Sequence, residues 1–308
     1  MINSLIDLLD SLQSEEDCRE FLEAIRWDGG RAPICPHCGS QSKEHYKLTN
    51  GGQYRGLHKC KDCNKRFTVT VGTMFEGSHI PMRKWFVAIY MFLAHKKGIS
   101  SMQLHKDIAV TQKTAWFMLS RIRYNLRNIK YIIYGDVTQV DETYIGGKNK
   151  NRNAGKRLKN TRGRSLKLKT PVMGMLSNGR VYTEVIPKAS KWILQHAINT
   201  FVPKGSTVVT DGWYGYKGLH ENYEHKVVDH HRGEYVKSGY HTNSIEGFWS
   251  QLKRGIVGVY HLVSKKHLEL YCDEFACRYN TRDIEDGQRF GVFLTIANDR
   301  LRYCDLTL

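Results

Sequence analysis

At 308 residues the chain is long enough for two or three domains, and its 41% hydrophobic and 11% aromatic content excludes wholesale disorder. There are 47 Lys and Arg against 30 Asp and Glu, a formal net charge of +17 and a pI near 9.5, which favours contact with polyanions such as phosphate backbones. A membrane role is disfavoured. No apolar run approaches the ~20 residues needed to span a bilayer, and the longest, Trp85 to Ala94, ends in His95-Lys96-Lys97. The start, Met1 to Asp28, is acidic and amphipathic, unlike a signal peptide, so a cytoplasmic location is expected.

Four of the eight cysteines form two tight pairs, Cys35-Pro36-His37-Cys38-Gly39 and Cys60-Lys61-Asp62-Cys63-Asn64. In each C-x-x-C both thiolates can turn onto one ion, and the Gly or Asn that follows permits the left-handed backbone of a knuckle. Two knuckles make a tetrahedral sulfur site for structural Zn²⁺. The 21 residues between Cys38 and Cys60 slightly exceed the ~15–20 of the usual pattern, a length that a ribbon hairpin can absorb. His37, inside a knuckle, is expected to be exposed rather than a fifth ligand. Cys18, Cys272, Cys277 and Cys304 are scattered through helix-like sequence; Cys272 and Cys277 read as core thiols. Lys43, Lys47, Arg55, His58, Lys59, Lys61, Lys65 and Arg66 make the ribbon strongly basic.

Pro81 opens a helical pattern through Trp85, Phe86, Ile89, Tyr90 and Leu93 towards a stop at Gly98. Ser100 can cap a short helix with Leu104 and Ile108 inward. After the turn at Ala109-Val110, Thr111 can cap a second helix carrying Ala115, Trp116, Leu119 and Ile122. This reads as a helix-turn-helix, with Gln112, Lys113 and Thr114 at the start of the helix that reads bases.

From about residue 131 the periodicity changes. Val137 to Tyr144 reads as a strand, and Thr170–Leu176 and Arg180–Ile186 as a hairpin across Ser177-Asn178-Gly179. A helix over Ser190–Phe201, short strands at Ser206–Thr210 and His225–Asp229, and a helix from about Asn243 follow. Asp141 sits within the first strand, Asp211 follows the apolar Thr207-Val208-Val209-Thr210, and Glu246 lies in the first turn of the late helix. Oxygen ligands of this kind suit two Mg²⁺ or Mn²⁺ ions acting on a phosphodiester. Lys253, two helical turns after Glu246, shares its face and suits a DNA phosphate, with Arg254 beside it. Glu142 must point to the sheet face opposite Asp141. Glu246 could also close a capping box with Asn243, and Asp211 could be only a turn former. Asp136, Asp229 and Glu234 are weaker candidates. Lys148 to Lys169 holds ten Lys and Arg and no acid, which suggests a mobile phosphate-contacting loop.

Taken together these blocks resemble the DDE transposases of bacterial insertion sequences, specifically the ISXO-type with an N-terminal zinc ribbon. The likeness spans roughly residues 5 to 285. It rests on the ribbon, Gly72-Thr73-Met74-Phe75, Pro81-Met82-Arg83-Lys84-Trp85-Phe86, Lys113-Thr114-Ala115-Trp116 and Val140-Asp141-Glu142-Thr143-Tyr144-Ile145-Gly146-Gly147. It continues in Thr210-Asp211-Gly212-Trp213, His241-Thr242-Asn243-Ser244-Ile245-Glu246-Gly247-Phe248-Trp249 and Leu252-Lys253-Arg254-Gly255. The resemblance implies a ribonuclease-H-like core, and with the residue patterns this gives an α/β (α+β) architecture: a ribonuclease-H-like catalytic domain (131–285) behind a helix and zinc ribbon (1–75) and a helix-turn-helix-like segment (76–130), with a helical tail (286–308) suggested by apolar Phe293, Leu294 and Ile296. It implies metal-dependent cutting and joining at terminal inverted repeats and target DNA, by a homodimer or higher oligomer on paired ends in the nucleoid. Asp141 and Asp211 carry over as catalytic residues. Some members use Asn as the third, so Asn243 and Glu246 both stand as candidates, with Glu246 favoured by its spacing to Lys253. A related nuclease without joining activity, or a domesticated DNA-binding regulator, are the alternatives.

Overall fold

The computed structural model describes residues 2–27, 29, 32–50, 52–127, 135–159, 161, 163–228, 234 and 236–307. The chain divides into two compact units, Met1–Ile129 with Asp283–Leu308, and Lys130–Arg282. No helix among the described residues is long and apolar enough to cross a membrane.

The first unit begins with two short helices where the sequence suggested one, α1 (Leu5–Ser11) and α2 (Glu15–Arg26). Each is opened by its own capping box, Ser4 with Asp7 and Ser14 with Asp17, and the second box restarts the helix after Leu12. A three-stranded antiparallel sheet follows: β1 (Tyr46–Asn50), β2 (Gln53–Lys59) and β3 (Arg66–Phe67). The β1–β2 hairpin occupies the long interval between the cysteine pairs.

Helix α3 (Met82–Ala94) ends at its cap His95, short of the expected Gly98. Ser100 caps α4 (Ser101–Asp107) by accepting from the Gln103 N–H, and Thr111 caps α5 (Gln112–Leu126) by accepting from the Thr114 N–H. Leu104, Ile108, Ala115, Leu119 and Ile122 are buried as their spacing predicts, and Trp116 is half-buried. The chain's last segment returns here as α9 (Asp286–Ile296) and α10 (Tyr303–Thr307). It is clamped by buried polar groups of α5. Arg121 donates to the carbonyls of Met74 (2.7 Å) and Leu301 (2.8 Å), and the Asn125 amide bonds both the carbonyl and the N–H of Asp299. Such pairing is what allows a guanidinium to be buried at all.

The second unit is a five-stranded sheet of β4 (Val137–Gly146), β5 (Lys169–Ser177), β6 (Arg180–Val185), β7 (Thr207–Asp211) and β8 (Glu224–Val228). The spatial order is β6-β5-β4-β7-β8. The first three strands form an antiparallel meander, and β7 and β8 add in parallel, the ribonuclease-H-like arrangement. Asn178 and Gly179, both at positive φ, make the tight turn between β5 and β6.

Helix α6 (Lys191–Phe201) covers one face through Leu194 and Ile198, packed on Val140, Met173, Met175 and Val208. On the other face α7 (Asn243–Gly255) and α8 (Leu268–Asn280) bring Ile245, Phe248, Trp249, Leu252 and Phe275 onto Val172, Leu176 and Val181. Because both faces are covered, β5 is apolar along nearly its whole length. Asp229 and the start of this unit lie outside the described residues.

Candidate active site and metal centre

In the first unit the four pair cysteines converge, with donor sulfurs all within 4.8 Å of one another. The Cys35–Cys63 and Cys38–Cys60 sulfurs are 3.7 and 3.6 Å apart. Four Zn–S bonds of ~2.3 Å at tetrahedral angles require sulfurs about 3.8 Å apart, so the residues fit structural zinc. Gly39 and Asn64 adopt positive φ just after each knuckle, and the Cys60 thiol is lowered to about 6, chiefly by the Cys63 N–H pointing at its sulfur. His37 is exposed and meets the Arg66 carbonyl. Sequence reading missed His45. Its Nε2 meets the Ser40 carbonyl and its Nδ1 accepts the Lys61 N–H, so one buried imidazole ties the two knuckles together. Nothing in its local spacing announces this, since the two partners are brought to it only by the ribbon fold.

At the start of α5, Gln112 and Lys113 are exposed and Thr114 half-buried. The Gln112 amide donates to Ser101 Oγ, and the Lys113 ammonium sits 4.9 Å from the Tyr303 ring centroid.

In the second unit, strands β4 and β7 pair only over Val137–Gln139 with Thr207–Val209. Asp141 and Asp211 each stand two residues past the last paired position, hence level with one another where the strands cease to pair. The period of two puts both on the α7 face. Helix α7 is fastened to that face twice: the Ile245 N–H donates to Gln139 Oε1 (3.2 Å) and the Trp249 indole N–H to Asp141 Oδ2 (3.0 Å). Glu246 lies between these two attachments. The cap of α7 is Thr242, one residue before Asn243, so the alternative of an Asn243–Glu246 capping box is not the arrangement found; the Thr242 hydroxyl donates to Glu246 Oε1 (3.0 Å). Asp211 Oδ1 accepts the Trp213 N–H (3.0 Å), so the turn role and a site position coexist.

These charges interact. Burial raises the Asp141 carboxyl to about 7, and the carboxylates of Glu142, Asp211 and Glu246 push it the same way. Lys253 is lowered by local desolvation, with the Asp141 charge opposing and Lys169 reinforcing that shift. Among the described residues only the cysteines form a group of three or more donors within 4.8 Å, so the acids are more widely set. One Mg²⁺ bonded at ~2.1 Å to all three would need their oxygens within about 4.2 Å.

Glu142 points to the other face, as its position in the strand requires. Its side chain has no exposed surface, and it accepts from the buried Tyr216 hydroxyl (2.7 Å) and from Arg164 Nη1 (2.8 Å). Burial raises its pKa, and the Tyr216 and Arg164 contacts oppose that. Arg164 thus fastens the basic segment to the strand that carries Asp141. Asp136 is exposed, and Glu234 pairs with Lys237. Cys272 and Cys277 are buried in α8.

A zinc ribbon joined to a ribonuclease-H-like unit that carries carboxylates where two of its parallel strands cease to pair defines a class of nucleic-acid-processing proteins. Comparison with known proteins is specific. Residues 133–280 match the ISXO2-like transposase domain and residues 13–66 the transposase zinc-ribbon domain. A protein of the transposable element ISH50 from Halobacterium salinarum is 31% identical over 277 residues, covering 86% of this chain and 90% of that one. A transposase-like protein of Haemophilus influenzae is 29% identical over 107 residues, 34% of this chain and 85% of its own. The chain belongs to the ISXO2-like transposase family. Among solved structures, the Mos1 transposase paired-end complex with left transposon end covers 70% of this chain and 80% of its own at 12% identity, with a TM-score of 0.28, too low to bear on the comparison.

Proposed function

We propose that this transposase cuts the ends of an insertion sequence and joins them to target DNA, using Asp141, Asp211 and Glu246 as ligands for two Mg²⁺ or Mn²⁺ ions. The observation that carries the reading is the placing of Asp141 and Asp211 at matching positions on neighbouring parallel strands, under a helix whose Glu246 and Lys253 share their electrostatic environment. Glu246 is favoured over Asn243 as the third ligand because a carboxylate is the stronger oxygen ligand for Mg²⁺ and because it stands two helical turns before Lys253.

Bound there, the cations would activate the attacking hydroxyl and neutralise charge on the leaving oxygen. The chain's own residues do the positioning. Trp249 fixes the rotamer of Asp141, Thr242 that of Glu246, and the Lys253 ammonium pairs with a phosphate oxygen of the bound strand. Water cuts the end, and the freed 3′-hydroxyl then attacks the target, one phosphodiester bond forming as another breaks. The zinc ribbon and the α4–α5 pair recognise the terminal inverted repeats, with two or more protomers holding paired ends. The division at residues 1–75, 76–130, 131–285 and 286–308 is part of this proposal.

The test is a strand-transfer assay on the element's own ends with Mg²⁺. Asp141→Asn and Asp211→Asn should each abolish cutting and joining while leaving DNA binding in place. Full joining by either variant would overturn the mechanism, and cutting without joining by the parent chain would favour a nuclease.

A further inference from the structure

We infer that Trp213 and Tyr214, backed by Arg164, form a stacking platform for one unpaired base of the DNA, immediately beside Asp211. The inference rests on the reading of the second unit as a DNA-processing site.

Five observations bear on it. Trp213 is 36% exposed and Tyr214 61% exposed, two large rings displayed next to a carboxylate cluster. The same short segment buries Tyr216 completely, so the exposure of its neighbours is selective. Trp213 is held in place: its N–H is bonded to Asp211 Oδ1, and its ring sits against Gly215, where a Cβ would come within 2.9 Å of the indole nitrogen. The Arg164 guanidinium lies 5.0 Å from the Trp213 ring centroid and 5.5 Å from that of Tyr144. That guanidinium is itself anchored by the wholly enclosed side chain of Glu142, so the cation over the ring is pinned to the strand bearing Asp141.

A rigid indole, a second ring at an angle to it (75° between planes) and a planar cation are the components that stack a nucleobase. Duplex DNA hides the faces of its bases, so the surface selects an unpaired one. An aromatic face offers no hydrogen-bond code, so the selection is for an opened base rather than for a sequence. Two residues of chain span at most about 7 Å, so the Trp213 ring lies within about one nucleotide's length of Asp211. The basic segment that supplies Arg164 accounts for the phosphates on either side.

The test uses the full-length chain without divalent cations and two probes: a blunt 20-base-pair duplex, and the same duplex with a two-nucleotide unpaired 3′ tail carrying 2-aminopurine at the junction. The parent chain should prefer the tailed probe by roughly 5- to 150-fold, the range for one stacked base, and should quench the 2-aminopurine. Trp213→Ala should lose the preference and the quenching with blunt-duplex affinity unchanged, and Trp213→Phe should restore both. Tyr214→Ala, which removes the more exposed ring, should weaken the preference and reports on the platform if Trp213→Ala does not fold. Equal binding of both probes by the parent chain, or a preference kept in the alanine variants, would overturn the proposal. Asp141→Asn should keep the preference in full, so loss of metal-dependent cutting and loss of the platform are read separately.

Discussion

Asp141→Asn is the substitution whose thermodynamic signature is most sharply defined. The Asp141 carboxyl is raised from 3.8 to about 7, and each unit is worth ~1.36 kcal/mol. Ionised Asp141 therefore costs the cation-free fold up to about 4 kcal/mol; partial solvent access reduces this to about 2 kcal/mol. A group whose folded pKa is raised favours folding at low pH, and that contribution is lost as pH climbs through the folded value. Asn does not titrate and keeps an oxygen for the Trp249 indole. In EDTA the variant should melt with the parent near pH 4, diverge upwards between pH 4 and 7, and level off above pH 8. For a unit the size of Lys130–Arg282, 2 kcal/mol corresponds to roughly 4–8 °C. Adding Mg²⁺ at about 100 times its dissociation constant should stabilise the parent by ~2.7 kcal/mol and the variant far less. Scanning calorimetry across pH, with and without Mg²⁺, reads both effects. An Asn variant that melts below the parent at pH 8 in EDTA, or that keeps the full Mg²⁺ response, would refute the reasoning.

Gly174 faces Asp141 across β4 and β5, and a Cβ there would approach the Trp249 ring to 2.5 Å; Gly174→Ala should destabilise by ~1–3 kcal/mol in urea titrations, and less in a Trp249→Phe background. Cys60→Ser should release the zinc of the ribbon, read as loss of about one equivalent of metal per chain by colorimetric chelation. Lys253→Ala should weaken DNA binding evenly across sequences and lower the slope of log affinity against log salt by about 0.9.

What local sequence carries is legible, and what only the folded chain brings together is not. The cysteine knuckles, the Ser100 and Thr111 caps and the Asn178-Gly179 turn are each decided within a few residues, and each forms where the pattern puts it. Asp211 stood out because an apolar strand ends on it, and the opposite facing of Asp141 and Glu142 follows from the period of two. The N-terminal segment divides into two helices because Ser14 and Asp17 close a second capping box within it. The partners that fix the site lie far apart in the chain: Gln139 with Ile245, Asp141 with Trp249, Glu142 with Arg164 and Tyr216. No periodicity encodes those meetings, because each depends on which helix returns to which strand.

The spacing of the two α7 attachments explains how a helix acid can be set with the precision of a strand acid. Gln139 and Asp141 are two residues apart on β4, about 6.6 Å at strand rise. Their partners, Ile245 and Trp249, are four residues apart on α7, about 6 Å at helix rise. The near match lets one strand grip one helix at two points, which fixes both its slide and its rotation, and Gly174 removes the side chain that would block the second grip. Glu246 lies one residue past the first attachment and three before the second, so its direction is set by the same contacts that hold Asp141. Asp211 enters through the parallel register with β4. All three carboxylates are thereby referred to a single strand, and mutual repulsion among them is opposed by the hydrogen bonds they accept from Trp249, Thr242 and the Trp213 N–H. On the proposed function, a site held in this way would bind its ions without first having to assemble.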